Sequence, residues 1–139
     1  MRKVYEQTFP MIPPHNIVGW FEIPAVDMER AIKFYQAVFG FEEFHREQMG
    51  PLDMAMFPSI EGSMGAAGAL IKHEQWYKPT TDGVLIYFTA FSGDVNVELG
   101  RVEAAGGHVA VPRKQIGDYG FMAVFVDTEG NRIALHSRT

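Results

Sequence analysis

The chain of 139 residues contains no cysteine, which excludes disulfides, thiolate metal sites and a cysteine nucleophile. No stretch approaches the 18 or so consecutive apolar residues that a membrane span needs. Basic residues are the minority, 12 Lys and Arg against 17 Asp and Glu, for a net charge of -5. With no basic run, nucleic acid and anionic membrane surfaces are unsuited as partners. The opening MRKVYEQTFPMIPPHN has two basic residues but no continuous apolar stretch after them, so it does not read as a signal peptide. A cytoplasmic location is the expectation. Phosphate-cradling and nucleophile-elbow spacings are missing too: GSMGAAG is not GxGxxG, it precedes a strand, and no serine stands in GxSxG.

What is present is ordinary for one globular domain: 47% apolar and 21% charged residues. Pro10, Pro13 and Pro14 make residues 1–15 an irregular arm. NIVGWFEIP then reads as a strand, and Asp27 caps a helix in which Met28, Ala31, Ile32, Tyr35 and Phe39 share a face before Gly40. FEEFHREQ, LDMAMFP and ALIKH supply three more strands. The order then repeats: VLIYFTAF, a helix capped by Asp94 with Val95, Leu99 and Val102 on one face, then HVAVP, GFMAVFVD and NRIALHS. Asp27 and Asp94 are 67 residues apart, as are Ile17 and Val84, so two βαβββ units in tandem are the economical reading. Module 1 covers residues 16–78 and module 2 residues 79–139 of a single α+β domain.

A helix covers one face of each sheet, leaving the other to enclose a cleft. Alternation sends Phe21 and Ile23 to the helix and Trp20 and Glu22 to the cleft. It likewise sends Leu85, Tyr87 and Thr89, and then Ala134 and His136, to the cleft; a one-residue slip would exchange every assignment.

The stretches FEIPAVDMERAIKFYQAVFGF, RVEAAGGHV and GFMAVFVDTEGNRIALHS, with the tandem repeat, resemble the vicinal oxygen chelate superfamily of glyoxalase I, bleomycin resistance proteins and extradiol dioxygenases. The resemblance implies paired βαβββ modules forming a cupped, mostly antiparallel sheet around a cleft, and a homodimer. Catalytic members hold a divalent metal such as Zn, Ni or Mn on His and Glu from the first and last strands of each module. Carried onto this chain, those positions fall at Trp20, near Leu85 and at Ala134, none of which supplies a ligand. No cofactor is therefore expected.

Two residues further along the same faces stand Glu22, Tyr87 and His136, a candidate polar centre. Three readings stay open for it: contact with a ligand or acid–base work by Glu22 and His136, a structural hydrogen-bond network, or a relocated metal site. Tyr119 and Phe121, near a strand where the family often meets its ligand, and Met56 beside Met54 are further candidates for the lining. His15, His45 and His108 read as surface residues, while His73 ends a strand and retains a route to the site. EGSMGAAG reads as a loop over the cleft mouth. Function divides three ways: a metal-independent binder of a small, partly apolar or aromatic molecule, a glyoxalase-type lyase or isomerase, and a dimeric interaction module without a ligand.

Overall fold

The computed structural model describes residues 12–139. Most of the arm expected at 1–15 thus lies outside the described residues. Eight strands and two α-helices follow: β1 (Trp20–Pro24), α1 (Met28–Phe39), β2 (His45–Met49), β3 (Leu52–Met56), β4 (Ala67–Lys72), β5 (Ile86–Thr89), α2 (Val95–Val102), β6 (His108–Gln115), β7 (Phe121–Val126) and β8 (Arg132–Ser137). The strands form two sheets, β1-β4-β3-β2 and β5-β8-β7-β6, so the tandem α+β organisation read from the repeat is the architecture. Each sheet has one parallel pair, β1 with β4 and β5 with β8, and two antiparallel pairs. β1 begins at Trp20, opposite Ala67 at the start of β4, and not at Asn16. Pro112 sits in β6, an edge strand, where its missing N–H is tolerated.

Both helices begin as their caps dictate. Asp27 accepts from the Arg30 N–H at 3.1 Å, and Asp94 from the Asn96 N–H at 2.9 Å. α1 ends at Gly40, whose φ of 77° is left-handed and whose N–H donates to the Gln36 carbonyl. The buried face of α1 comprises Met28, Ala31, Phe34, Tyr35, Val38 and Phe39, at helical spacing. Phe34 lies 5.7 Å from Phe125 on β7, and Tyr35 lies 5.3 Å from Phe57 after β3. One helix therefore touches both sheets, and a single core joins the modules.

A clasp of polar groups reinforces that junction. The β7–β8 turn DTEGN reaches across to the start of α1. Glu129 accepts from the N–H groups of Val26 (2.8 Å) and Asp27 (2.7 Å) and from Arg30 Nε (2.8 Å). Asp127 accepts from the Tyr35 hydroxyl at 2.7 Å, while Asn131 Nδ2 donates to the Pro24 carbonyl at 2.7 Å. Backbone donors of a helix start, which have no partner within the helix, are satisfied by a carboxylate of the other module.

Candidate functional site

The register of the two parallel pairs fixes what each sheet presents away from the shared core. Glu22 lies opposite Ala69 in module 1, and Tyr87 lies opposite Ala134 in module 2. The Ala25 N–H bonds the Ile71 carbonyl as the Ala90 N–H bonds the His136 carbonyl, which makes Glu22 and Tyr87 equivalent positions. Trp20 and Leu85 are equivalent by the same reasoning, as are Ala69 and Ala134. The free face of module 1 carries an apolar cluster of Met54, Ala69 and Ile71, with Leu52, Met56 and Tyr77 packed on it. The free face of module 2 carries Met122, Val124 and Ala134, with Leu85, Val111 and Ile116. Neither cluster joins the central core or the other cluster.

The residues at the centre of each cluster are buried, but each cluster is flanked by an exposed ring. Trp20 is 44% exposed and Tyr87 51% exposed. The two best-formed concavities, 470 and 570 Å³, both lie around α1 and involve no residue of either cluster.

The candidate polar centre is divided between the two faces. Glu22 accepts from the Tyr77 hydroxyl at 2.7 Å and from the Trp20 indole N–H at 3.2 Å. The Glu22 hydrogen bond, burial and the carboxylate charge together raise the Tyr77 hydroxyl above its ordinary range, keeping it a donor. His136 donates through Nε2 to the Tyr119 carbonyl at 2.6 Å, since a carbonyl can only accept. In the tautomer that makes this bond, Nδ1 is left as an acceptor. Among the described residues no hydrogen bond joins Glu22 to Tyr87 or His136, and the three do not form a shared network.

The remaining candidates separate by face. Met56 pairs with Ala69 and so stands beside Glu22 on the free face. Tyr119 lies in a 3-10 turn before β7 and is 77% exposed. Phe121 sits on the helix side, packed against the central core with the Arg113 guanidinium 3.7 Å above its ring. His73 accepts at Nδ1 from the Gln75 and Trp76 N–H groups, capping the turn that carries Tyr77. His45 and Glu47 on β2 pair at 2.9 Å on the module 1 free face, opposite Met56 and Met54. Sequence alternation reached Glu22 but not Tyr77, whose only signal was an aromatic pair in HEQWYKP between the modules.

The family's metal does not fit these side chains. Register places an indole, a leucine and two alanines at the equivalent first- and last-strand positions, and none is a ligand. Among the described residues no group of three or more His, Asp or Glu side chains could hold a metal ion. Chelator-treated protein should accordingly keep its melting midpoint when Zn²⁺, Ni²⁺, Mn²⁺ or Mg²⁺ is added. An ion bound only by the native state at a hundredfold excess over its Kd would add about 2.7 kcal/mol. A rise of that size, abolished by Glu22→Gln or His136→Ala, would place a metal on the shifted positions instead.

Comparison with known proteins agrees with the fold. No curated protein sequence matches the chain. A domain of the glyoxalase/bleomycin resistance/dioxygenase type from Frankia sp. EAN1pec superposes with a TM-score of 0.69 at 16% identity, covering 89% of this chain and 98% of the other. TnmS3, an antibiotic-binding protein from Streptomyces sp. CB03234, gives 0.65 at 22% identity over 92% and 100%. A V278E mutant of glyoxalase I from Zea mays gives 0.65 at 18% identity over 86% of this chain, which spans only 45% of the maize protein. No helix among the described residues is long and apolar enough to cross a membrane. The family model matches residues 17–135, and the chain belongs to the Glyoxalase/Bleomycin resistance protein/Dioxygenase superfamily.

Proposed function

We propose that this protein binds a small, partly apolar or aromatic molecule without the family's usual metal, in clefts completed by a second copy of the chain. The observation that carries the reading is a pair of apolar clusters outside the central core, each flanked by an exposed ring, Trp20 in module 1 and Tyr87 in module 2, and each with few polar anchors. Apolar side chains gathered outside the central core beside exposed rings suit a ligand groove or an interface. The two faces also differ in charge. Strand positions on the module 1 face include Glu22 and Glu47, whereas those on the module 2 face include Lys114 and Arg132. The fold is shared with an antibiotic-binding protein, which suits a ligand of this class.

Light scattering after size exclusion should give a homodimer. Trp20, made the sole tryptophan by Trp76→Phe, should be quenched by an aromatic antibiotic at one molecule per chain. A monomer whose Trp20 responds to no member of a broad aromatic panel would overturn the reading. One observation favours a second reading, a lyase or isomerase. His136 has an oriented ring with Nδ1 able to accept a proton, and pairing unlike modules would bring it towards Glu22 of another copy.

A further inference from the structure

We infer that the ligand is a cation, an aromatic or apolar body carrying a protonated amine, and that Glu22 is its anchor. This rests on the binding function proposed above and names the chemistry of the molecule bound. Glu22 is half-buried, and both of its partners, the Trp20 indole and the Tyr77 hydroxyl, are neutral. It enters none of the ion pairs among the described residues. The neighbouring carboxylate on this face, Glu47, has His45 at 2.9 Å, but no Lys or Arg occupies a strand position on the module 1 free face. A carboxylate partly removed from water without a counter-charge is unfavourable unless something supplies one.

The surroundings specify what does. Each carboxylate oxygen is held by one donor and keeps further acceptor capacity. Ala69, opposite Glu22, and Met56 beyond it give a low apolar floor beside the charge. An ammonium head fits the carboxylate, and an apolar body fits the floor. An anionic ligand would meet an unbalanced negative charge. Module 2 has the neutral Tyr87 at the equivalent position, so the preference belongs to module 1.

Isothermal titration with matched pairs tests this: phenethylamine, tryptamine and daunorubicin against their neutral N-acetyl derivatives, on the intact protein. At least one amine should bind about tenfold or more tighter than its acetylated partner, as a charged hydrogen bond gained or lost requires. Glu22→Gln should erase that difference by weakening the amine about tenfold or more beyond any effect on its acetylated partner. Tyr77→Phe keeps the charge and should retain the amine preference. The Trp20 indole N–H resonance should move with the amine and much less with the amide. Equal affinities within every pair would leave the binding function standing and overturn the cation. No binding by either class would overturn the aromatic-ligand reading and this inference with it. If Glu22→Gln converts dimer to monomer and weakens both members of a pair equally, the missing cation is the second copy's Arg132 or Lys114, and the inference falls.

Discussion

Glu129→Ala is expected to cost about 3–5 kcal/mol, chiefly because it takes the acceptor from two backbone donors. The Glu129 side chain is fully buried and accepts from two backbone N–H groups, from Arg30 and from the Thr128 hydroxyl. Alanine leaves the Val26 and Asp27 N–H groups without their acceptor, each at about 1–3 kcal/mol if water cannot reach it. For a chain of this size the midpoint should fall by roughly 10–15 °C. The carboxyl has an acid-side signature as well. Burial raises its pKa, but the hydrogen bonds from Arg30, Asp27, Thr128 and Val26 outweigh burial and hold it below the ordinary range. A carboxyl whose native pKa is depressed contributes stability that is full above the unfolded value and is lost as pH falls through the native one. Urea midpoints measured from pH 7 down to pH 3 should therefore decline, and Glu129→Gln should decline less steeply. A Glu129→Ala midpoint within 2 °C of the parent would show that the clasp adds nothing to the junction.

The same turn shows where sequence reading stops. DTEGN is recognisable as a turn from Gly130 alone, but nothing local says that its carboxylates reach a helix some hundred residues earlier in the chain. That information resides in the tertiary packing of Phe34 and Tyr35 against the other module. The faces of the strands were legible, because period-2 alternation is fixed by the pleat: Phe21, Ile23, Ile86, Phe88, Ile133 and Leu135 all belong to the central core. Phe34 and Val38 joined that core unannounced, although their spacing from Ala31 is helical. How the sheets face each other was not legible. Alternation states which residues leave the helix side, and says nothing about whether another sheet of the same chain waits opposite. The equivalence of Glu22 and Tyr87, suggested by counting from the helix caps, is settled in space by the register against Ala69 and Ala134. Met64 in EGSMGAAG and Ile60 just before it are exposed, while Gly68, the last residue of that stretch and already in β4, is needed because a Cβ there would lie 2.5 Å from the Phe21 ring.

Tyr35→Ala should be the other severe change, costing about 3–5 kcal/mol, because it opens a cavity where the two modules meet. The ring is fully buried and lies within 5.3 Å of Phe57, 5.8 Å of Phe88 and 5.2 Å of Phe34, so no rearrangement of one neighbour can fill the space. Its hydroxyl is held well above the usual phenol range by burial and by the Asp127 carboxylate it serves, so it stays a donor at every working pH. Tyr35→Phe isolates the hydroxyl from the ring. Asp127 Oδ2 would keep Asn131 Nδ2 at 3.0 Å, so the loss should be near 1–2 kcal/mol, well short of the alanine variant. Equal losses for Phe and Ala would mean that the hydrogen bond, and not the packing, ties α1 to module 2. Because Asp127 also orders the Glu129 N–H at 2.9 Å, Tyr35→Phe and Glu129→Ala should be non-additive, with a coupling of about 0.5–3 kcal/mol. Tyr35 packs on the helix side of both sheets, opposite the free faces, so Tyr35→Phe should leave ligand affinity unchanged below its melting transition. A change in affinity without a change in oligomeric state would mean that the junction sets the geometry of the binding faces.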